Sequence, residues 1–247
     1  MSKKPKVLVL KADGTNRDEE MAYAFKIAGG NPEIVHVNQL RNGIKKMEDY
    51  QILALPGGFA YGDDTGSGRA YANKLMNHLS TEVKQFCAAD KLVIGICNGF
   101  QVVVHAGLLP GALVHNQSAR YLDRWVNLKV ENDSPWLKSI TTLAVPIAHG
   151  DGNFYVSPSQ LKILKQNHQI ALRYLPPNPN GSTDNIAGVT DKTGRILGLM
   201  PHPERAMFFT HLPNWPLLKE QHLRAGQPLP KFGPGLQIFQ NGIQYFL

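Results

Sequence analysis

Residues 92–101 read Leu-Val-Ile-Gly-Ile-Cys-Asn-Gly-Phe-Gln, which places a cysteine directly after an apolar run. The run Leu92–Ile96 predicts a buried strand, and Cys97 follows it between Gly95 and Gly99. A residue held between two small neighbours, after a strand and before a helix, is typical of a nucleophile elbow. The alternative is a small cysteine that only packs at a strand end. The two glycines and the strand–turn–helix context favour the nucleophile.

Apolar strands and amphipathic helices alternate through the first half of the chain. The predicted strands and helices there are Lys6–Leu10, Glu19–Ala28, Glu33–Val37, Gln51–Leu55, Tyr71–Ala88 and Leu92–Ile96. The second half is richer in strands, which we predict at Trp125–Val130, Thr142–Ala148, Ile170–Tyr174, Ile186–Val189 and Ile196–Leu199. This order predicts an α/β fold with a mostly parallel central sheet, flanking helices and antiparallel additions.

Ligands of such sheets bind beyond the carboxyl ends of the strands. We therefore expect the site to be formed by the loops Asp13–Asn16, Gly57–Gly68 and Cys97–Gln101. The helix that begins after Cys97 carries a partial positive charge at its first turn, which favours a thiolate there. The other cysteine, Cys87, lies on a predicted helix with no glycine near it, and we expect it to be a core residue.

A cysteine nucleophile needs a base, and the base needs a group that orients it. His202 follows a predicted strand and lies between two prolines, with Glu204 two residues further on. In an extended chain these two side chains point the same way, so Glu204 is expected to bind one ring nitrogen while the other faces Cys97. The alternative is a solvated loop pair. His149, which ends another predicted strand, is a further candidate for the site.

The attacked carbonyl oxygen needs backbone N–H donors. Pro56 is followed by Gly57 and Gly58, and glycine lets the backbone approach a ligand closely. We expect Gly58 or its neighbour, together with the N–H of Asn98, to form this oxyanion hole. The alternative is that the two glycines only form a tight turn.

The composition narrows the class of protein. A chain of 247 residues fits one large α/β domain, or less well two small ones. No apolar run is long enough to span a bilayer or to form a secretory leader, and two cysteines indicate a reducing compartment, so we expect a cytoplasmic protein. The formal charge of +7 comes from scattered Lys and Arg. It indicates a solvated surface or an acidic protein partner more than nucleic acid. No histidine spacing typical of zinc occurs, so no metal site is expected.

These motifs, taken together, resemble the class I, triad-type glutamine amidotransferases, which have a flavodoxin-like fold. In detail the chain is similar to the glutaminase subunits of phosphoribosylformylglycinamidine synthase in de novo purine biosynthesis. The similar stretches are Gly14–Asp18, Leu55–Asp64, Gly95–Gln101, Asn116–Tyr121, Arg124–Trp125, Pro146–Gly152, Ala171–Tyr174, Asn178–Ser182 and Met200–Arg205. The segment 206–247 matches least well, and it either caps the sheet or meets a partner; we expect 1–247 to form a single domain.

The resemblance implies roles for individual residues. Cys97 would attack the side-chain amide of glutamine, His202 would protonate the departing ammonia and then activate water, and Glu204 would orient His202. Gln101 and the loop at His149 and Gly150 would contact glutamine.

The resemblance also implies partners. A large synthetase subunit would use ATP and Mg²⁺ to aminate formylglycinamide ribonucleotide, a small accessory subunit would bridge the two, and this chain would bind no cofactor. Three rivals remain open: an amidotransferase of another pathway, such as pyridoxal phosphate synthesis, a non-catalytic member of the cysteine-elbow proteins, and a nucleic-acid-binding protein, which rests only on charge.

Overall fold

The structure is a computed structural model, and it describes residues 4–63 and 66–247. The predicted loop Gly57–Gly68 and the similar stretch Leu55–Asp64 therefore fall partly outside the described residues, at Asp64 and Thr65. Residues 1–3 of the predicted single domain lie outside them as well.

The described chain forms eleven strands and seven α-helices. The strands are β1 (Lys6–Lys11), β2 (Asn31–His36), β3 (Ile52–Leu55), β4 (Leu92–Ile96), β5 (Ala112–Val114), β6 (Leu122–Val130), β7 (Thr142–His149), β8 (Asn153–Tyr155), β9 (Ile170–Tyr174), β10 (Ile186–Thr190) and β11 (Ile196–Leu199). The helices are α1 (Asp18–Ile27), α2 (Val37–Arg41), α3 (Arg69–Ala88), α4 (Asn98–His105), α5 (Pro158–Gln166), α6 (Trp215–Arg224) and α7 (Leu236–Gln244). No α-helix of the described residues is both long and apolar enough to cross a membrane.

Nine strands form one sheet in the order β2-β1-β3-β4-β11-β10-β9-β6-β7. The first five are parallel to their neighbours, and β10, β9, β6 and β7 add to them in antiparallel fashion. Strands β3, β4 and β11 are buried along their whole length, as expected when both faces of a parallel sheet are covered. The predicted fold class is confirmed. Because β4 and β11 are parallel neighbours, their carboxyl ends bring Cys97 and the segment of His202 to the same edge of the sheet.

The segment 206–247 divides into a buried and an exposed part. In α7 the ring of Phe239 packs edge-on against Phe25 of α1, with centroids 5.0 Å apart, and Asn241 Nδ2 donates to the carbonyl oxygens of Trp136 and Lys138. Helix α6, in contrast, has no buried residue and leaves Leu217 largely exposed. Helix α7 thus packs against α1 as part of the hydrophobic core, whereas α6 lies on the surface.

The sequence patterns left several short elements without a prediction. Helix α2 follows His36, whose side chain accepts a hydrogen bond from the N–H of Asn38. The Gln39 side-chain oxygen accepts in turn from the His36 N–H. Helix α5 follows Ser157, which forms the same type of capping box with Gln160. The short strands β5 and β8 form a separate two-stranded sheet.

Candidate active site

Cys97 lies at the turn between β4 and α4 in a strained backbone conformation. Its φ of 52° and ψ of −108° are sparsely populated for a residue with a side chain, and such strain costs roughly 1–3 kcal/mol. The Cys97 N–H donates to the Leu199 carbonyl oxygen at 2.8 Å, which ties the turn to the end of β11. The predicted strand–turn–helix geometry is present, and it sets the cysteine above the sheet edge.

The two glycines that flank Cys97 are required sterically. A Cβ on Gly95 would lie 2.6 Å from the Gly99 carbonyl oxygen, and one on Gly99 would lie 1.9 Å from that of Leu55. Both contacts are with backbone, which cannot move aside as the end of a side chain can. The elbow therefore packs so closely onto β3 and β4 that only glycine fits.

A cavity of about 240 Å³ opens at Cys97. The side chain of Cys97 is 7% exposed, and its sulfur lies 3.7 Å from the Ala148 carbonyl oxygen. The predicted site residues that line this cavity are Gly58, Cys97, Gln101, His149, Gly150 and His202. A larger cavity of about 450 Å³, beside Lys45 and Phe86, contains none of the predicted site residues.

His202 and Glu204 form a buried pair, with Nδ1 2.6 Å from Glu204 Oε1. The pairing agrees with the sequence prediction, but its predicted cause is wrong. Pro203–Arg205 forms a single 3₁₀ turn rather than an extended segment, and this turn brings the Glu204 carboxylate to the Nδ1 side of the His202 ring. The His202 N–H donates to the Pro146 carbonyl oxygen at 2.8 Å, which anchors the turn on β7.

Burial acts to lower the pKa of His202, but the Glu204 carboxylate and the Cys97 sulfur raise it more strongly, to about 10. His202 is therefore an imidazolium at neutral pH. Among the described residues its Nε2 makes no hydrogen bond, although it is buried. A protonated ring with one nitrogen fixed by a carboxylate and the other unengaged can deliver a proton to a leaving group in the cavity.

The glycines of the predicted oxyanion hole lie against the cysteine and the histidine. A Cβ on Gly57 would lie 3.0 Å from His202 Cε1 and 3.5 Å from Cys97 Cβ. Gly58 has a φ of +140°, which a residue with a side chain rarely adopts. The N–H of Phe59 donates to the Gly14 carbonyl oxygen, so this neighbour of Gly58 is already engaged. The donor pair of our hypothesis, Gly58 together with Asn98 at the start of α4, stays a prediction.

Gln101 holds two parts of the site together. Its Nε2 donates to the Asp151 carbonyl oxygen at 2.8 Å, and its Oε1 accepts from Asn98 Nδ2 at 2.9 Å. The Asp151 carboxylate in turn accepts from Ser67 Oγ at 2.6 Å and contacts His115 Nδ1. Gln101 thus connects the elbow helix to the loop after β7, and Ser67 connects that loop to the Gly57–Gly68 segment.

His149 is buried and lines the same cavity. Burial, and then the charge of His202, lowers its pKa to about 4, so its ring is neutral at physiological pH. Its Nδ1 lies 3.0 Å from Asn116 Oδ1. The loop that holds Gly150 is fixed by the same asparagine, whose N–H donates to the Gly150 carbonyl oxygen.

Sequence reasoning gave no role to several residues of the site. Five of them line the cavity: Asn16, Arg17, Ser67, Tyr121 and Asp151. A sixth, Asn116, contacts the ring of the lining residue His149 through its Oδ1. All but Ser67 lie within the stretches that carry the family resemblance, and that resemblance could have marked them as site residues. Cys87 does not line the cavity; it is half-buried in α3, and burial raises the pKa of its thiol to about 11. Within the described residues no group of three His, Cys, Asp or Glu side chains lies close enough to hold a metal ion.

Comparison with known proteins places this chain in the class of glutamine amidotransferases. The family model of the CobB/CobQ-like glutamine amidotransferase domain matches residues 4–246. A glutamine amidotransferase from Thermotoga maritima has the same fold, with a TM-score of 0.53 at 15% identity over 99% of this chain and 96% of the other.

Closer relatives identify the family within this class. Phosphoribosylformylglycinamidine synthase subunit PurQ of Methanococcus maripaludis (strain C5) is 47% identical over 266 residues, covering 98% of each chain. The same subunit of Dehalococcoides mccartyi is 38% identical over 263 residues, again with 98% of each covered. The structure of PurLQS from Thermotoga maritima contains a chain that matches with a TM-score of 0.77 at 32% identity, over 99% of this chain and 100% of the other. The chain belongs to the PurQ family, and the resemblance inferred from the sequence is confirmed.

Proposed function

We propose that this chain hydrolyses glutamine through Cys97, His202 and Glu204 and supplies the ammonia to a phosphoribosylformylglycinamidine synthase. Membership of the PurQ family supports the reaction. The observation that carries the assignment to residues is that the strained Cys97 elbow lines one cavity with His202, whose ring is held by the buried Glu204 carboxylate. An elbow alone or a His–Glu pair alone has other uses, whereas a nucleophile, a proton carrier and an orienting carboxylate together form a triad.

The proposed reaction has two steps. The Cys97 sulfur attacks the side-chain amide carbon of glutamine, and the N–H groups of Gly58 and Asn98 stabilise the oxyanion. The C–N bond then breaks, His202 gives its Nε2 proton to the leaving nitrogen, and ammonia and a glutamyl thioester result. In the second step His202 takes a proton from water, the hydroxide attacks the thioester, and glutamate leaves. The C–S bond breaks with its electrons returning to the Cys97 sulfur, the new carboxyl group loses its proton to solvent, and His202 is again an imidazolium.

The ammonia acceptor lies on a different chain. No Gly-x-x-x-x-Gly-Lys-Ser/Thr phosphate loop occurs in this sequence, and we propose that the chain binds no cofactor of its own. The partners are a large synthetase subunit, which uses ATP and Mg²⁺ to convert formylglycinamide ribonucleotide to the amidine, and a small accessory subunit. The related PurLQS structure supports this assembly. We further propose that residues 1–247 form one domain, with 206–247 as its C-terminal extension, and that it acts in the cytoplasm.

The test is the rate of glutamine hydrolysis by this chain with and without the synthetase, its accessory subunit, ATP, Mg²⁺ and formylglycinamide ribonucleotide. We expect the chain alone to be a poor glutaminase, because ammonia released to water would be lost by protonation and coupling prevents this. The rate should rise in the full complex, with one amidine formed per glutamine, and Cys97→Ser should abolish it. Full-rate hydrolysis by the isolated chain, unchanged by these partners, contradicts the coupling. Activation instead by the synthase of pyridoxal phosphate would assign the chain to the rival pathway.

A further inference from the structure

A histidine that lines the active-site cavity has a buried ring nitrogen without a hydrogen-bond partner among the described residues. His149 is 3% exposed, and its Nε2 has no partner among the described residues. Leaving such an acceptor unpaired is unfavourable. The only other imidazole nitrogen that both lines this cavity and is buried in the same way, among the described residues, is Nε2 of His202, which the proposed reaction uses.

The hydrogen bonds of Asn116 determine which form of the His149 ring is present. Asn116 Nδ2 donates to the carbonyl oxygens of Arg120 and His149, both at 2.8 Å, so its Oδ1 is the acceptor of the pair. Oδ1 also accepts from the Gly152 N–H at 3.1 Å. His149 Nδ1 must therefore carry a hydrogen to donate to Oδ1. Its Nε2 is left as a lone pair that can only accept.

The surroundings of His149 keep that lone pair unprotonated. Burial and the nearby charge of His202 lower the pKa of His149, and a hydrogen bond to its own backbone and the charge of Asp151 oppose them only in part. A neutral acceptor next to an imidazolium does not compete for the proton that leaves with ammonia. The neutral Nε2 of His149 can accept a hydrogen bond from an N–H group without taking its proton.

The position of His149 points to the reacting end of the substrate. The carbonyl oxygen of its neighbour Ala148 contacts the Cys97 sulfur, and the three side chains of Cys97, His149 and His202 line one cavity. We propose that His149 Nε2 accepts a hydrogen bond from the side-chain amide nitrogen of glutamine and thereby distinguishes glutamine from glutamate. This proposal rests on the proposed function and deepens it.

The chemistry of the two ligands gives the selectivity. The amide nitrogen of glutamine has two N–H donors, and one of them satisfies the lone pair of His149. The carboxylate of glutamate has only acceptor oxygens, so it leaves that lone pair unpaired and repelled. Sites built around such a bond reject the analogue that lacks the donor. The same contact is lost when the C–N bond breaks and ammonia leaves, so it does not hold the product glutamate.

Binding constants in a Cys97→Ala background test the proposal, since this variant binds ligands without turning glutamine over. Calorimetry on this chain, alone and with its synthetase, measures the affinities for glutamine and glutamate. His149→Asn keeps a donor for Asn116 but has no atom at the Nε2 position, whereas His149→Gln places an amide oxygen there. We expect His149→Asn to weaken glutamine binding about tenfold or more without weakening glutamate binding, and His149→Gln to restore part of the selectivity.

Equal changes in both affinities, or none, would overturn the proposal. A second measurement needs no substitution at His149: in ¹⁵N-histidine-labelled Cys97→Ala protein, the Nε2 resonance of His149 should move on addition of glutamine and stay with glutamate. If glutamine binds but this resonance does not move, the inference fails and the proposed function stands. If neither ligand binds in any state of the complex, the proposed function fails and this inference with it.

Discussion

The carboxylate of Glu204 lies 2.6 Å from Nδ1 of His202, and both side chains are buried. Glu204 lies within the single 3₁₀ turn Pro203–Arg205, which begins directly after His202 and fixes the spacing of the pair. Glu204 engages Nδ1, so Nε2 is the nitrogen left to face Cys97, whose sulfur also raises the pKa of His202. The turn thus sets which nitrogen carries the catalytic proton before any substrate arrives.

This arrangement predicts different effects for the two residues. His202→Ala should abolish glutamine-dependent activity as completely as loss of Cys97, because the members of a triad act as a unit. Glu204→Gln should lose less, roughly 10²–10⁴-fold in kcat, because it removes orientation and charge but leaves the proton carrier. Steady-state glutaminase assays of the full complex measure both. Glu82→Gln, an exposed glutamate on α3, is the matched control and should be unaffected. If Glu204→Gln has the wild-type rate, Glu204 does not orient His202.

The neutral state of His149 predicts a dependence of stability on pH. Its folded pKa of about 4 lies below the ordinary 6.5, so below pH 6.5 the unfolded chain binds a proton that the folded chain refuses. Stability should therefore fall as the pH drops from 6.5 towards 4, by up to about 1.4 kcal/mol per pH unit. His202, whose folded pKa is raised to about 10, gives a slope of opposite sign near pH 6.5–7, where its unfolded imidazole is only partly protonated, and no slope well below pH 6.5; it is present in both proteins and cancels in their difference.

Urea unfolding of wild type and His149→Asn between pH 7 and pH 4.5 measures this effect. The difference in stability between the two proteins should shift in favour of the variant as the pH falls. His78→Asn, at an exposed position of α3, is the control and should follow the wild-type curve. Parallel curves for wild type and His149→Asn would mean that His149 is not held neutral by burial.

The elbow predicts a steric effect at Gly99. Gly99→Ala would place a Cβ 1.9 Å from the Leu55 carbonyl oxygen, so α4 or β3 must shift. We expect a loss of several kcal/mol in unfolding free energy, or failure to fold, together with loss of activity. Gly226→Ala is the control: it has a positive φ but open space around it, so only the backbone term of about 1 kcal/mol applies. Chemical denaturation compares the two, and similar losses in both variants would contradict the steric account.

Local patterns were sufficient to predict the sheet and the elbow. Leu92–Ile96, Ile170–Tyr174 and Ile196–Leu199 are strands with the predicted bounds, because buried strands appear as short apolar runs between turn residues. The tight glycines at 95 and 99 follow from the same turn. The capped helices α2 and α5 carried a signal in His36–Gln39 and Ser157–Gln160 that the apolar periodicity did not reveal.

Contacts between distant segments could not be predicted in this way. Asn116 and His149 are 33 residues apart, and only the folded chain shows that one fixes the ring form of the other. The Ser67–Asp151 bond joins residues 84 positions apart. For His202 and Glu204, the sequence spacing predicted the pair, but the local backbone that brings them together depends on how the turn is anchored on β7.

The most direct test of the account is the mass of the intact chain after rapid mixing with glutamine and acid quenching, in the presence of the synthetase. We predict a glutamyl adduct on Cys97, absent in Cys97→Ala and retained in Cys87→Ser, and a diazo-ketone analogue of glutamine should label the same residue permanently. His202→Ala should form the adduct poorly, because the leaving ammonia is not protonated. An adduct on Cys87, or turnover of glutamine by Cys97→Ala, would contradict the assignment of Cys97 as the nucleophile.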